Sequence, residues 1–105
     1  MKIKLTGIDR VIIPSILPQE GDLLQQTTVK AIIELVEIKP DEFEYYGITL
    51  DKEMMLWNSE KILQEKEFDI TKPYQQVLKS AVEDLDNRKK INLQMLDTCI
   101  KIKNL

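Results

Sequence analysis

The sequence contains no histidine. Histidine is the usual general base near neutral pH, the commonest metal ligand and the residue that activates serine or cysteine nucleophiles. Its absence excludes most familiar catalytic constellations. We therefore expect no catalytic residue, no cofactor and no metal site, and an atypical enzyme is a lower alternative.

Cysteine and glycine are also scarce. The single cysteine, Cys99, cannot form a disulfide within the chain, and it falls in an apolar helical pattern typical of a buried hydrophobe. The three glycines, Gly7, Gly21 and Gly47, lie far apart. A phosphate-binding loop needs closely spaced glycines before a helix, so this motif is missing.

Long apolar runs are missing as well. No stretch of about 18 apolar residues occurs, and Lys2 and Lys4 interrupt the amino terminus too early for the apolar region of a signal peptide. We therefore expect a cytoplasmic protein without a membrane partner. At 105 residues, with 43% apolar and 31% charged residues, the chain predicts a single globular domain over residues 1–105.

Charge is unevenly distributed along the chain. Residues 34–69 carry eleven acidic and four basic groups, whereas residues 71–105 carry four acidic and seven basic groups. Nucleic-acid binding depends on lysine and arginine facing phosphates, so an acidic chain with scattered cations makes a nucleic-acid partner unlikely. The basic cluster Arg88, Lys89 and Lys90 has two interpretations: a phosphate contact, or cations favoured at a helix end.

Residues 71–90 form the clearest predicted helix. Its apolar residues recur at spacings of three and four, with Leu78 near the middle of the stripe. Thr71 is a suitable N-cap, and Pro73 fits the first turn.

Four further helices are predicted from caps and periodicity. Thr6 and Asp9 form a capping box for the first helix, which Pro14 is expected to kink or to end at Ile13. The remaining predicted helices run from an Asp22 cap to Glu37, from Pro40 to Tyr46, and from an Asn92 cap to near Leu105.

Two-residue alternation predicts strands in the middle of the chain. A hairpin spans Ile48 to Trp57 around a turn at residues 51–53, and a third strand follows at residues 66–70. The first five residues are compatible with a strand, but a free terminus leaves this open. We expect an α+β fold in which a small antiparallel sheet of about three strands packs against a layer of three to four helices.

Several segments together resemble a known group of sequences. They are Asp9–Pro18 with Glu20-Gly21, then Ile48-Thr49, Trp57-Asn58 and Glu67–Thr71. In this order the chain resembles short uncharacterised proteins encoded by bacteriophages and mobile elements. The resemblance implies a genetic setting and, for a phage-encoded protein, the host cell cytoplasm. It carries over no functional residue.

Two acidic clusters, at residues 41–44 and 65–69, come closest to the residue pattern of a metal-binding site. The first cluster lies within one helical turn without the glycine of a calcium loop, and the second lies on the outward face of a strand. We interpret both clusters as solvated surface.

The strongest recognition signal is a group of aromatic and sulfur-containing residues: Tyr45, Tyr46, Met55 and Trp57. Such residues are enriched in protein interfaces. Alternation gives the hairpin two apolar faces, so we expect one face to meet the helices and the other to meet a partner or a second copy. The sequence thus predicts a non-enzymatic interaction module, an accessory, regulatory or host-directed protein. The alternative is a structural component of a virion-type assembly.

Overall fold

The computed structural model describes residues 1–52 and 54–105, and Glu53 of the predicted turn lies outside the described residues. The described part has α+β architecture, as the sequence predicts. In chain order, its elements are β1 (Lys2–Leu5), α1 (Gly7–Ile16), α2 (Leu23–Val36), α3 (Pro40–Tyr46), β2 (Thr49–Asp51), β3 (Met54–Leu56), a 3₁₀ turn (Lys61–Leu63), β4 (Lys66–Asp69), α4 (Lys72–Asn87) and α5 (Leu93–Lys103).

Among the described residues, the strands form two small antiparallel sheets instead of one sheet of three strands. β2 pairs with β3, whereas β4 pairs with β1, with Ile3 opposite Phe68. β1 therefore exists, and it takes the place beside β4 that the prediction gave to the hairpin. The reason is burial, because the β1–β4 pair brings Ile3, Leu5 and Phe68 to one side, where all three are buried in the core.

The helix caps follow the sequence closely. The Thr6 hydroxyl accepts from the Asp9 backbone N–H while an Asp9 carboxylate oxygen accepts from the Thr6 N–H, which completes the predicted capping box. Side chains of Asp22, Thr71 and Asn92 cap α2, α4 and α5 in the same local way. Each cap needs only residues three positions apart, so the sequence alone was sufficient to predict it.

The structure fixes two helix ends that the sequence left open or placed differently. α1 continues past Pro14 to Ile16, so of the two alternatives predicted for this helix the end at Ile13 is wrong. α4 ends at Asn87, because Lys89 takes a left-handed conformation (φ 56°) and the Lys90 N–H turns back to the Leu85 carbonyl.

The core lies between the helices and the β1–β4 sheet. Ile13, Ile32, Leu78 and Ile102, from four different helices, are almost fully buried in it. Cys99 is buried beside them, as its apolar surroundings in the sequence indicate. Among the described residues, no helix is long and apolar enough to cross a membrane.

Candidate interaction site

The β2–β3 hairpin places two apolar side chains on one exposed face, and a third follows directly after β3. Leu50 lies directly opposite Met55 in the register, so both side chains point to the same side, and Trp57 follows Met55 by two residues. Their exposed fractions are 77% for Leu50, 47% for Met55 and 37% for Trp57. We call Leu50, Met55 and Trp57 the hairpin face.

The opposite side of the hairpin is mixed in character. Thr49 lies opposite Leu56, and Asp51 lies opposite Met54, so polar and apolar residues alternate there. Every described residue of both strands is exposed. The expectation that the helical layer covers one side of the hairpin is therefore wrong, because the helices pack on the β1–β4 sheet instead.

Backbone hydrogen bonds attach the base of the hairpin to α3. Gly47 ends α3 in the left-handed conformation (φ 65°), which favours glycine, and the chain reverses there. The Ile48 N–H donates to the Phe43 carbonyl at 2.9 Å, and the Asn58 N–H donates to the Tyr46 carbonyl at 2.8 Å. The hairpin is thus held at its base while its strands stand clear of the core.

The two tyrosines of the predicted surface have different environments. Tyr46 is buried, and its hydroxyl accepts a 3.2 Å hydrogen bond from Arg10 Nη1, so it does not belong to an exposed surface. Tyr45 is exposed, but its hydroxyl donates to Gln64, and Lys61 Nζ lies 5.3 Å from its ring centre. Adjacent helix positions point in different directions, so only Met55 and Trp57 of the predicted group share the hairpin face.

Arg10 organises a buried cluster that the sequence analysis did not identify. Its Nη1 and Nη2 atoms each lie 2.7 Å from an oxygen of the Glu42 carboxylate. Its Nε and Nη2 atoms also donate to the Val36 and Glu37 carbonyls, both at 2.8 Å. A guanidinium has five N–H donors, and Tyr46 accepts the remaining one, so Arg10 is fully paired.

This pairing sets the charge state of Glu42. The hydrogen bonds from Arg10 lower the pKa of Glu42 to about 2, despite the opposing effect of burial. Glu42 also accepts from the Lys39 N–H at the start of α3. The 41–44 cluster is therefore not simply solvated surface, because Glu42 links α3 to α1.

A second, partly buried cluster forms around Asp9, the residue before Arg10 in α1. Burial by itself raises the pKa of Asp9, but hydrogen bonds from Lys101, Thr98 and the Thr6 backbone outweigh it, so the pKa lies below its usual value. Thr98 Oγ1 and Lys101 Nζ each lie 2.5 Å from an Asp9 oxygen. Lys101 also pairs with Glu65 at 3.3 Å. This cluster joins α1 to α5 over a separation of about 90 residues.

Both clusters have the geometry of structural ion pairs. In residues 1–52 and 54–105, every buried side-chain nitrogen or oxygen has a hydrogen-bond partner. Arg10 is already fully paired, and Asp9 already accepts from three donors. The charged groups of these two clusters thus pair with each other and hold helices together.

A groove of about 460 Å³ between α4 and α5 is the other concave feature of interest. Ile91, Leu96 and Ile100 form part of its apolar wall. Its four charged lining residues are Lys79, Glu83, Asp86 and Lys103, two of each sign, so the groove shows no preference for a ligand of one charge.

Comparison with protein-family models, curated proteins and solved structures found no match.

Proposed function

We propose that the protein is a non-enzymatic interaction module that binds protein through the hairpin face. The observation that carries this proposal is that Leu50 and Met55 lie opposite each other on the exposed hairpin and that Trp57, directly after β3, is also exposed. Exposed apolar surface costs about 25 cal/mol per Å² relative to burial, so covering this face is favourable. The hairpin is too small to bury these groups against itself.

The composition of the hairpin face also fits protein recognition. Tryptophan supplies a large rigid contact, and the unbranched side chain of methionine adapts to the shape of a partner. Anchoring of the hairpin base to α3 fixes the position of this face without covering it. In the genetic setting that the resemblance implies, we propose an accessory, regulatory or host-directed role.

A structural component of a larger assembly is the second candidate, and one observation favours it. α5 carries a separate exposed apolar stripe, in which Leu93, Leu96 and Ile100 recur at helical spacing. A subunit of an extended assembly needs two distinct contact surfaces, and this stripe is available as the second.

A photocrosslinking experiment tests the interaction module. A benzophenone amino acid replaces Leu50 in one variant and Leu24 in another, because these two leucines are 77% and 78% exposed but lie on different elements. Both variants are irradiated in the cells that naturally make the protein. We expect a discrete protein adduct from position 50 and none from position 24.

Two results would contradict the proposed function. One is the absence of an adduct from position 50, and the other is the same adducts from both positions. Mass spectrometry of the adduct identifies the bound protein and the residues in contact. Attachment of an apolar segment of that protein to position 50 is the expected result.

A further inference from the structure

The groove between α4 and α5 is lined by one face of each helix. On α4 its lining includes Lys79 and Asp86, and on α5 it includes Leu96 and Lys103. The lining residues between them recur at spacings of three and four, which is the spacing of one helical face. At a rise of about 1.5 Å per residue, each of these faces is about 10 Å long, or two helical turns.

The two helices run in opposite directions along the groove. Asn87 ends α4 and Leu93 begins α5, so the link between them is short. Lys79, in the middle of α4, donates from Nζ to the Leu105 oxygen at 2.9 Å, and Leu105 lies just beyond the end of α5. The carboxyl end of α5 is therefore beside the middle of α4, and its amino end is beside the end of α4.

This arrangement separates the charges of the groove along its length. Lys79 and Lys103 lie together at one end. Glu83 and Asp86 lie towards the other end, about 6 and 10 Å further along α4. The basic link at residues 88–90 is not part of the lining that the described residues form. The groove is therefore balanced in total charge but positive at one end and negative at the other.

We propose that this groove binds an amphipathic helix of a protein partner, with the amino end of that helix at Asp86 and its carboxyl end at Lys103. A helix carries about half a positive charge at its amino end and half a negative charge at its carboxyl end, so this direction matches the charges of the groove. Apolar anchors at positions i, i+3 or i+4, and i+7 span about 10 Å, the length of the groove. The site is separate from the hairpin face and does not depend on the proposed function.

The walls of the groove favour a helix over other occupants. An extended segment binds by adding to an open strand edge, whereas both walls here are helices. A purely apolar ligand would cover the charged groups at both ends without offering them partners, which is unfavourable. A helix supplies charge at each end and an apolar face for Leu96 and Ile100, which are 40% and 47% exposed.

Two synthetic peptides with blocked termini test the proposal. Both are helices of the same composition with leucine at positions i, i+3, i+4 and i+7. The matched peptide has lysines before the first leucine and an equal number of glutamates after the last, and the reversed peptide exchanges the two. At low ionic strength we expect the matched peptide to bind about fivefold more tightly or better. The reversed peptide is the more stable isolated helix, because acids favour the amino end and cations the carboxyl end, so helicity cannot explain this result.

Nuclear magnetic resonance locates the bound peptide and its direction. A nitroxide on the amino end of the matched peptide should broaden the amide signals of Asp86 and Asn87 more than that of Lys103. The strongest broadening at Lys103 would overturn the direction, and shifts confined to the hairpin around Met55 would overturn the site. Groove signals that shift when the chain alone is concentrated would make a second copy the occupant and overturn the protein partner.

A charge exchange within the groove is the matching variant. Asp86→Lys combined with Lys103→Glu keeps the net charge and changes only exposed side chains, so the circular dichroism spectrum should be unchanged. Each end of the groove then carries one charge of each sign, and we expect the two peptides to bind with equal affinity.

Glu20→Lys combined with Lys30→Glu is the control. Both residues are exposed and lie outside the groove, so this variant should keep the preference of the parent chain for the matched peptide. Three results would overturn the proposal: no binding of either peptide up to about 1 mM, equal affinities for the parent chain, or an unchanged preference in the groove variant.

Discussion

The guanidinium of Arg10 and the carboxylate of Glu42 form a two-point ion pair, with both nitrogen–oxygen distances at 2.7 Å and the arginine almost fully buried. The pair joins the first helix to the third across 32 residues of sequence. Because Arg10 also holds the last carbonyls of α2, one side chain fixes the relative positions of α1, α2 and α3.

Replacement of Arg10 should therefore destabilise the fold strongly. Arg10→Met leaves Glu42 partly buried without its partner and leaves the Val36 and Glu37 carbonyls without their donor. Removing one partner of a buried ion pair typically lowers the free energy of unfolding by about 3–5 kcal/mol. Urea denaturation measures this loss. Arg88→Met is the control, because the Arg88–Asp84 pair is exposed and should change the free energy of unfolding by less than about 1 kcal/mol. Equal midpoints for both variants would contradict this account of Arg10.

The stability of the folded chain should decrease at acidic pH. The pKa of Glu42 is about 2, and that of Asp9 is also lowered in the folded chain. A carboxyl group whose pKa is lower when folded contributes stability above its ordinary pKa and loses that contribution as the pH falls through the folded value. We expect the melting temperature to be nearly constant between about pH 6 and 8, where histidine would titrate, and to decrease from about pH 4.5 towards 2.

Thermal melts from pH 2 to 8 measure this profile. Glu42→Gln should make the acid-side decrease shallower, because the largest resolved carboxyl shift is then removed. A large step between pH 6 and 8 would be inconsistent with the assignment, since it would require another group that titrates there.

Truncation of Leu78 should show how much the α4 stripe contributes to the core. Leu78 is almost fully buried, and emptying such a site typically costs about 2–5 kcal/mol. Leu93→Ala is the matched control, because Leu93 is 88% exposed and the same truncation there should cost less than about 0.5 kcal/mol. Chemical denaturation of both variants gives the comparison. If Leu78→Ala keeps the parent midpoint, α4 does not pack as described.

The candidate site was only partly predictable from sequence. Alternation correctly predicts the hairpin, and its prediction that Met55 and Trp57 share one side stays a prediction for Trp57, which lies just beyond β3. Leu50 was missed as a site residue, although its position opposite Met55 follows from the hairpin register. Tyr46 was assigned to the surface because aromatic residues are common in interfaces, but it is buried and its hydroxyl contacts Arg10, 36 residues away.

The sequence by itself determined the features that depend on neighbouring residues. Caps such as Thr6 with Asp9, the apolar stripe of α4 and the left-handed end of α3 at Gly47 all involve atoms within a few positions, so local propensity and periodicity are sufficient. Tertiary structure alone decided the pairing of β1 with β4 and the burial of Arg10. Strand partners are chosen by which faces can be buried together, and a charge is buried only where distant groups satisfy all its donors. The hairpin is uncovered for the same reason: the helices bury their apolar stripes against the other sheet.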